Sequence, residues 1–160
     1  MGQDAGRSSP SLPPVSRSLT ILVAALLAGV GVALGALGAH GLEDRFVDGG
    51  QAWWETGVRY QMWHALALLA VAAIASRPGV VVPLAFVLGT AGFSGSLYAM
   101  ALGSSWSGWG PITPLGGTFY LVGWLALIVR AARGEFATSS AAAAVGGAKG
   151  QGRGDSGGEE

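Results

Sequence analysis

The side chains with chemistry to offer gather in one stretch, residues 53–69, WWETGVRYQMWHALALL. It holds a carboxylate (Glu55), a guanidinium (Arg59), an imidazole (His64) and tryptophans 53, 54 and 63 at the mouth of an apolar run. Glu55 and Arg59 are four residues apart, the spacing at which helical side chains meet on one face. Tyr60 and His64 repeat that spacing on an adjacent face. A charge-assisted Glu–Arg pair costs little at a membrane interface and much more when buried, where every donor and acceptor needs a partner. Interfacial anchoring is therefore the leading role for the pair. His64 lies deeper. A hydrogen-bonding core role leads for it, with a proton relay or ligand site as the alternative, because histidine alone titrates near neutrality when unperturbed.

Two further chemistries are weighed and set aside. His40, His64 and Glu55 would make a two-His, one-carboxylate metal set. The histidines fall on different expected helices, however, and nothing in their spacing requires a metal. Ser94 and Ser96, in the string GFSGS, do not form the Gly-x-Ser-x-Gly nucleophile elbow of soluble hydrolases. No catalytic residue, metal or cofactor is expected. With no cysteine in the chain, disulfides and thiolate chemistry are excluded.

The elements that must carry these groups are membrane helices. The 160 residues are 51% hydrophobic and only 11% charged, against about 25% charged for a soluble domain. No Asp, Glu, Lys or Arg lies between Arg77 and Arg130. The formal net charge of zero gives no footprint for nucleic acid. The expected fold is an all-α membrane protein, a bundle of four transmembrane helices spanning 18–130, with helices near 18–40, 58–76, 80–102 and 114–130. A leader (1–17) and a tail (131–160), both rich in small and polar residues, are expected to be disordered, with a transient helix at 139–145. Gly6 stands where a myristoylation signal has Ser or Thr. The first apolar run is longer than a signal-peptide core, so a retained helix is expected rather than a cleaved one.

Loops are expected at 40–59 and 103–113, with a sharp turn at Arg77-Pro78-Gly79. Pro114 suits the first turn of the fourth helix. Arg130 and Arg133 are expected to snorkel to the headgroups from a short last helix. Small residues at Gly31 and Gly35 in the first helix, and at Gly92 and Gly95 in the third, are read as helix-packing positions, since lipid gives no hydrophobic drive for helices to associate. Arg7, Arg17, Arg77, Arg130, Arg133, Lys149 and Arg153 fall on one side of such a bundle, and only Arg45 and Arg59 on the other. The positive-inside rule then puts both termini in the cytoplasm. With that topology His40, Glu55, Arg59, Tyr60, Gln61, His64, Ser94, Ser96, Tyr98 and Thr113 share the outer half of the bundle as a candidate polar cluster.

Four strings stand in order along the chain: GALGAHGL (35–42), WETGVRYQMWHALALL (54–69), FSGSLYAMAL (93–102) and GPITPLGG (110–117). In that order and spacing the chain resembles the YgdD/YwdK-like family of small bacterial membrane proteins, a family of unknown function with small mitochondrial relatives in animals. The resemblance covers roughly 19–130. It implies a four-helix, multi-pass protein of the bacterial plasma membrane, and brings no established site residues with it. The leading functional expectation is a non-enzymatic structural or accessory membrane protein, with the lipid bilayer and a second copy or another membrane protein as partners. A small transporter or channel component moving protons or a small solute is the alternative, and a membrane-embedded enzyme comes third.

Overall fold

The computed structural model describes residues 16–75, 78–104 and 106–136. The expectations for the leader before 16, for Arg77 and for the transient helix at 139–145 lie outside the described residues. The chain is all-helical where described. It comprises α1 (Arg17–His40), a 3-10 turn (Glu43–Arg45), α2 (Gly50–Ile74), α3 (Val81–Ala101), a single turn α4 (Trp106–Trp109) and α5 (Ile112–Ala132). Three of these, α1, α3 and α5, are long and apolar enough to cross a bilayer. Polar residues set α2 apart: Gln61 and His64 are buried in it, while Gln51, Glu55 and Arg59 are exposed.

Each boundary has a local cause. Ser16 caps α1, its Oγ accepting from the Leu19 amide at 3.1 Å, which satisfies one of the donors a helix start leaves open. Helix α2 begins at Gly50 rather than near 58, so the expected loop is shorter and Glu55 and Arg59 stand on helix. Gly49 turns the chain into it with a φ of 74°. Gly50 is pinned beneath the end of α3: a Cβ there would lie 2.6 Å from the Ala101 carbonyl, and the Val47 amide bonds that same carbonyl at 3.0 Å. At the other end of the chain, α5 starts at Ile112 and places Pro114 within its first turn, where a missing amide proton costs nothing.

The last turn corrects two expectations. Residues 131–136 are part of the folded unit rather than disordered tail. Arg130 does not reach out to headgroups: its Nε bonds Glu135 Oε2 at 2.7 Å, another guanidinium nitrogen donates to the Pro78 carbonyl, and its charge lies over the Phe136 ring at 5.2 Å. The guanidinium thus ties the α2–α3 turn to the end of α5. Arg133 is exposed.

Helix α2 sits centrally, with α1 on one side and α3 on the other, and α3 in turn carries α5. The core runs through Ala24, Leu68, Val71, Val82, Phe86 and Tyr120. Leucines, valines and isoleucines of α1 and α5 point outward instead, from Leu22 and Val32 to Leu125 and Ile128. That is the surface a helix presents to hydrocarbon.

With no hydrophobic drive between helices in lipid, close packing has to hold them, and here aromatic rings fill glycine notches. Gly38 receives the Trp54 indole, Gly57 the Tyr98 ring, Gly89 the Tyr120 ring and Gly123 the Phe86 ring. Gly92 and Gly116 bring the backbones of α3 and α5 together, a Cβ on Gly92 falling 3.0 Å from the Gly116 Cα. Among the four expected packing glycines, Gly31 and Gly92 are such tight positions. Gly35 meets Val58 at an ordinary 3.5 Å, and Gly95 has only its own helix's Thr90 carbonyl at 4.0 Å. Gly95 serves the backbone instead, at the end of a π-helical turn over Thr90–Ser94 in which its amide bonds the Thr90 carbonyl.

These notches predict opposite signs for one substitution. Gly116→Ala drives a methyl into the Gly92–Phe93 backbone, which has no flexible end to move, and costs about 1–3 kcal/mol. Gly29→Ala meets nothing within 4 Å and removes glycine's entropic penalty in a helix, about 0.5–1 kcal/mol. Thermal unfolding in detergent should show the first melting below wild type and the second at or above it.

Candidate functional site

The buried polar residues divide by where α2 aims them. Trp54 and Gln61, seven apart, face α1. The Trp54 indole N–H donates to the Leu34 carbonyl at 2.9 Å, and the Gln61 Nε2 donates to the Leu27 carbonyl at 2.8 Å. The two carbonyls are seven apart as well, read in the opposite direction, as antiparallel helices require. Gly38 and Gly31 lie one turn beyond them, and a Cβ at Gly31 would approach the Gln61 amide to 3.5 Å and Met62 Sδ to 2.8 Å. The bare backbone at these two positions is what admits the side chains of α2.

Gln61 also reaches α3. Its Oε1 accepts from the Tyr98 hydroxyl at 3.1 Å. Since a carbonyl only accepts, the neighbours fix which end of the amide faces which helix. One buried side chain therefore joins α1, α2 and α3.

His64, 4% exposed, does the corresponding work toward α5. Its Nδ1 lies 2.7 Å from the Tyr60 carbonyl, and its Nε2 lies 3.2 Å from the Trp124 indole nitrogen. The carbonyl can only accept and the indole can only donate. The geometry therefore selects the neutral tautomer protonated on Nδ1. The ring stacks on Tyr120 with centroids 3.5 Å apart at 10° and meets the edge of Phe86 at 4.9 Å.

The third link joins α5 to the π turn of α3. Tyr120 donates to Thr90 Oγ1 at 3.1 Å, with Ser94 Oγ at 3.5 Å, and Thr90 passes its proton on to the Phe86 carbonyl at 2.9 Å. Nearer the α4 end, Ser96 and Thr113 bond through their hydroxyls at 2.7 Å. No buried side-chain nitrogen or oxygen among the described residues lacks a partner.

The ten residues of the sequence-derived cluster thus part into two groups. Gln61, His64, Ser94, Ser96, Tyr98 and Thr113 are inside and bonded, and Tyr60 contributes its carbonyl and a ring packed on Phe93 at 4.6 Å. His40, Glu55 and Arg59 are exposed. His40 stands at the end of α1 while both nitrogens of His64 are engaged, so the two-His, one-carboxylate set is not assembled. Glu55 and Arg59 form no ion pair; among the described residues only Arg130 and Glu135 do. Glu55 instead accepts from Gln51 Nε2 at 3.0 Å. Sequence reasoning missed Thr90, Trp124 and the donor role of Trp54. A readable trace of the last was the seven-residue step from Trp54 to Gln61 against that from Gly38 to Gly31.

Comparison with known proteins agrees with the membrane character of this arrangement. Residues 34–117 match the family model described as Protein of unknown function (DUF423). The UPF0382 membrane protein YwdK of Bacillus subtilis is 40% identical over 118 residues, covering 71% of this chain and 95% of the relative. A UPF0382 membrane protein of Haemophilus influenzae is 42% identical, covering 68% and 86%, and the UPF0382 inner membrane protein YgdD of Escherichia coli is 38% identical, covering 71% and 88%. No solved structure matches the chain. The matched family segment takes in Gly38, all of α2 and α3 and the first turns of α5. The chain is therefore a membrane protein belonging to the DUF423 (UPF0382) family of unknown function.

Proposed function

We propose that this is a non-enzymatic, structural or accessory protein of the bacterial plasma membrane, with four spans and both termini cytoplasmic. In this reading its buried polar residues lock the helices into one arrangement. The observation that carries this is the pairing inside the bundle: no buried side-chain nitrogen or oxygen among the described residues is without a hydrogen-bond partner in the chain. A transporter or an enzyme needs a polar group at depth left over for its substrate. His64 in particular has both ring nitrogens committed. These alternatives rank second and third.

Counting α2 as the fourth span is supported by its length, 25 residues against about 20 needed for hydrocarbon, and by the burial of Gln61 and His64 against other helices. Polar residues in a span cost little when they face protein and are bonded there. The orientation is supported by Arg17, Arg130 and Arg133 at one end of the bundle and Arg45 and Arg59 at the other. The name of the Escherichia coli relative, an inner membrane protein, supports the compartment.

Two measurements test the reading. In the first, His64→Leu, Gln61→Leu and Trp124→Phe are melted in detergent, singly and with His64→Leu/Trp124→Phe as a double mutant. Each polar deletion is expected to cost about 1–2 kcal/mol, and the double mutant to lose less than the sum of the singles. His64→Leu melting at or above wild type would instead mean that the imidazole is kept for something other than packing, and proton flux in liposomes becomes the next experiment. The second exploits the cysteine-free background. Asp48→Cys should react with an impermeant maleimide from outside the cell, and Arg133→Cys only after the membrane is opened. The reverse pattern would invert the topology, and labelling of both from one side would remove α2 from the spans.

A further inference from the structure

Between α1 and α2, near the Gly50 end of α2, lies an open cavity of about 320 Å³. Gly35 and Gly38 of α1 line one wall, and Gln51, Trp54, Glu55 and Arg59 of α2 the other. We propose that it holds the headgroup of a phospholipid carrying both a phosphodiester and a primary ammonium.

The depth of the two charges is the first argument. Helix α2 ends at Ile74, and about 20 residues of helix cross the hydrocarbon. Counting that far back reaches Glu55, at the headgroup boundary, and leaves Arg59 one turn inside it. Arg59 is exposed there and has no hydrogen bond or ion pair among the described residues. A guanidinium at that depth reaches for an anion, and the phosphate layer of the bilayer supplies one.

Glu55 supplies the complement. One carboxylate oxygen accepts from Gln51 and the other has no partner among the described residues. Gln51, one turn before Glu55, bonds its carboxylate, and Arg59, one turn after it, forms no ion pair with it although the two are neighbours on one face. Their side chains start about 5–6 Å apart, comparable to the two-carbon bridge between ammonium and phosphate in an ethanolamine phosphodiester. The order is right too. In a phospholipid the ammonium lies outermost and the phosphate nearer the acyl chains, as Glu55 and Arg59 do.

The carboxylate also sets a selectivity. A primary ammonium donates hydrogen bonds to it, a quaternary choline has none to give, and a glycerol headgroup brings no cation. Phosphatidylethanolamine should therefore outbind phosphatidylcholine and phosphatidylglycerol of the same acyl chains.

The inference rests on α2 crossing the bilayer, which the two-sided cysteine labelling reads independently. Its own test is native mass spectrometry of the full chain in detergent, titrated with the three lipids and with soluble glycerophosphoethanolamine. Wild type should retain phosphatidylethanolamine about tenfold better than phosphatidylcholine, the scale of one charge-assisted hydrogen bond. Glu55→Gln should abolish that preference, and Arg59→Gln should weaken retention of all three phosphodiester lipids together. Both positions are exposed, and unchanged melting of the two variants shows that they fold. Equal retention of the two lipids by wild type, or an undiminished preference in Glu55→Gln, overturns the proposal. Displacement of bound lipid by the soluble headgroup at equal concentration overturns the lipid as the occupant.

Discussion

Everything in this bundle depends on how closely α1 lies against α2. Lipid already solvates leucine as well as another leucine does, so two such helices gain nothing by burying apolar surface against each other. What they gain comes from contact distance and from hydrogen bonds that hydrocarbon cannot offer. Gly31 and Gly38 provide the first and thereby the second. Without side chains there, Gln61 and Trp54 come within 2.8 and 2.9 Å of helix carbonyls, acceptors that retain a free lone pair after their own helical bond. A larger residue at Gly38 would expel the Trp54 indole and leave its N–H unmatched in a medium where an unmatched donor is costly.

The same economy of partners explains the π turn in α3. Inserting the wide turn at Thr90–Ser94 breaks the regular ladder, a change usually found where a helix has a particular job. Here it brings Thr90 and Ser94 to one phenol, Tyr120, and sets Gly92 against Gly116. Tyr120 then holds His64 by its ring face while its hydroxyl holds α3. The imidazole is thus clamped on three sides, by Tyr120, by Phe86 and by the Trp124 indole. A side chain so fixed is suited to maintaining a geometry more than to carrying a proton through it.

Much of the fold was legible because membrane spans are written in composition. The charge-free stretch from Pro78 to Val129 and the run after Arg17 locate three helices with no further information. Helix α2 was legible in type and less so in extent: Trp53 to Arg59 read as loop because charge and indole gather there, while the structure continues the helix back to Gly50 under the end of α3. The candidate site was half legible. Residue type pointed to Gln61, His64, Tyr98 and the serines, but type alone did not separate them from His40, Glu55 and Arg59, because the 100° turn per residue decides who faces in, and the neighbour it faces is set by tertiary packing. Which glycines were notches was hidden for the same reason. Gly35 and Gly38 differ in sequence by nothing but phase.

That phase separates two kinds of polar residue that look alike on paper. Along α2, Trp54, Gln61 and His64 turn toward protein, and each of their side-chain nitrogens and oxygens finds a partner there. Glu55 and Arg59, interleaved with them, turn outward and are exposed. If both groups served only to hold helices together, the outward charges would be the wrong choice, since a lipid-facing position in the outer turns is served at lower cost by leucine or tryptophan. If both served only a ligand, the inward network would not be closed. If α2 spans the bilayer as proposed, a closed interior beside an open, oppositely charged pair is the pattern expected when one face of a helix specifies the fold and the adjacent face meets the membrane's own polar groups.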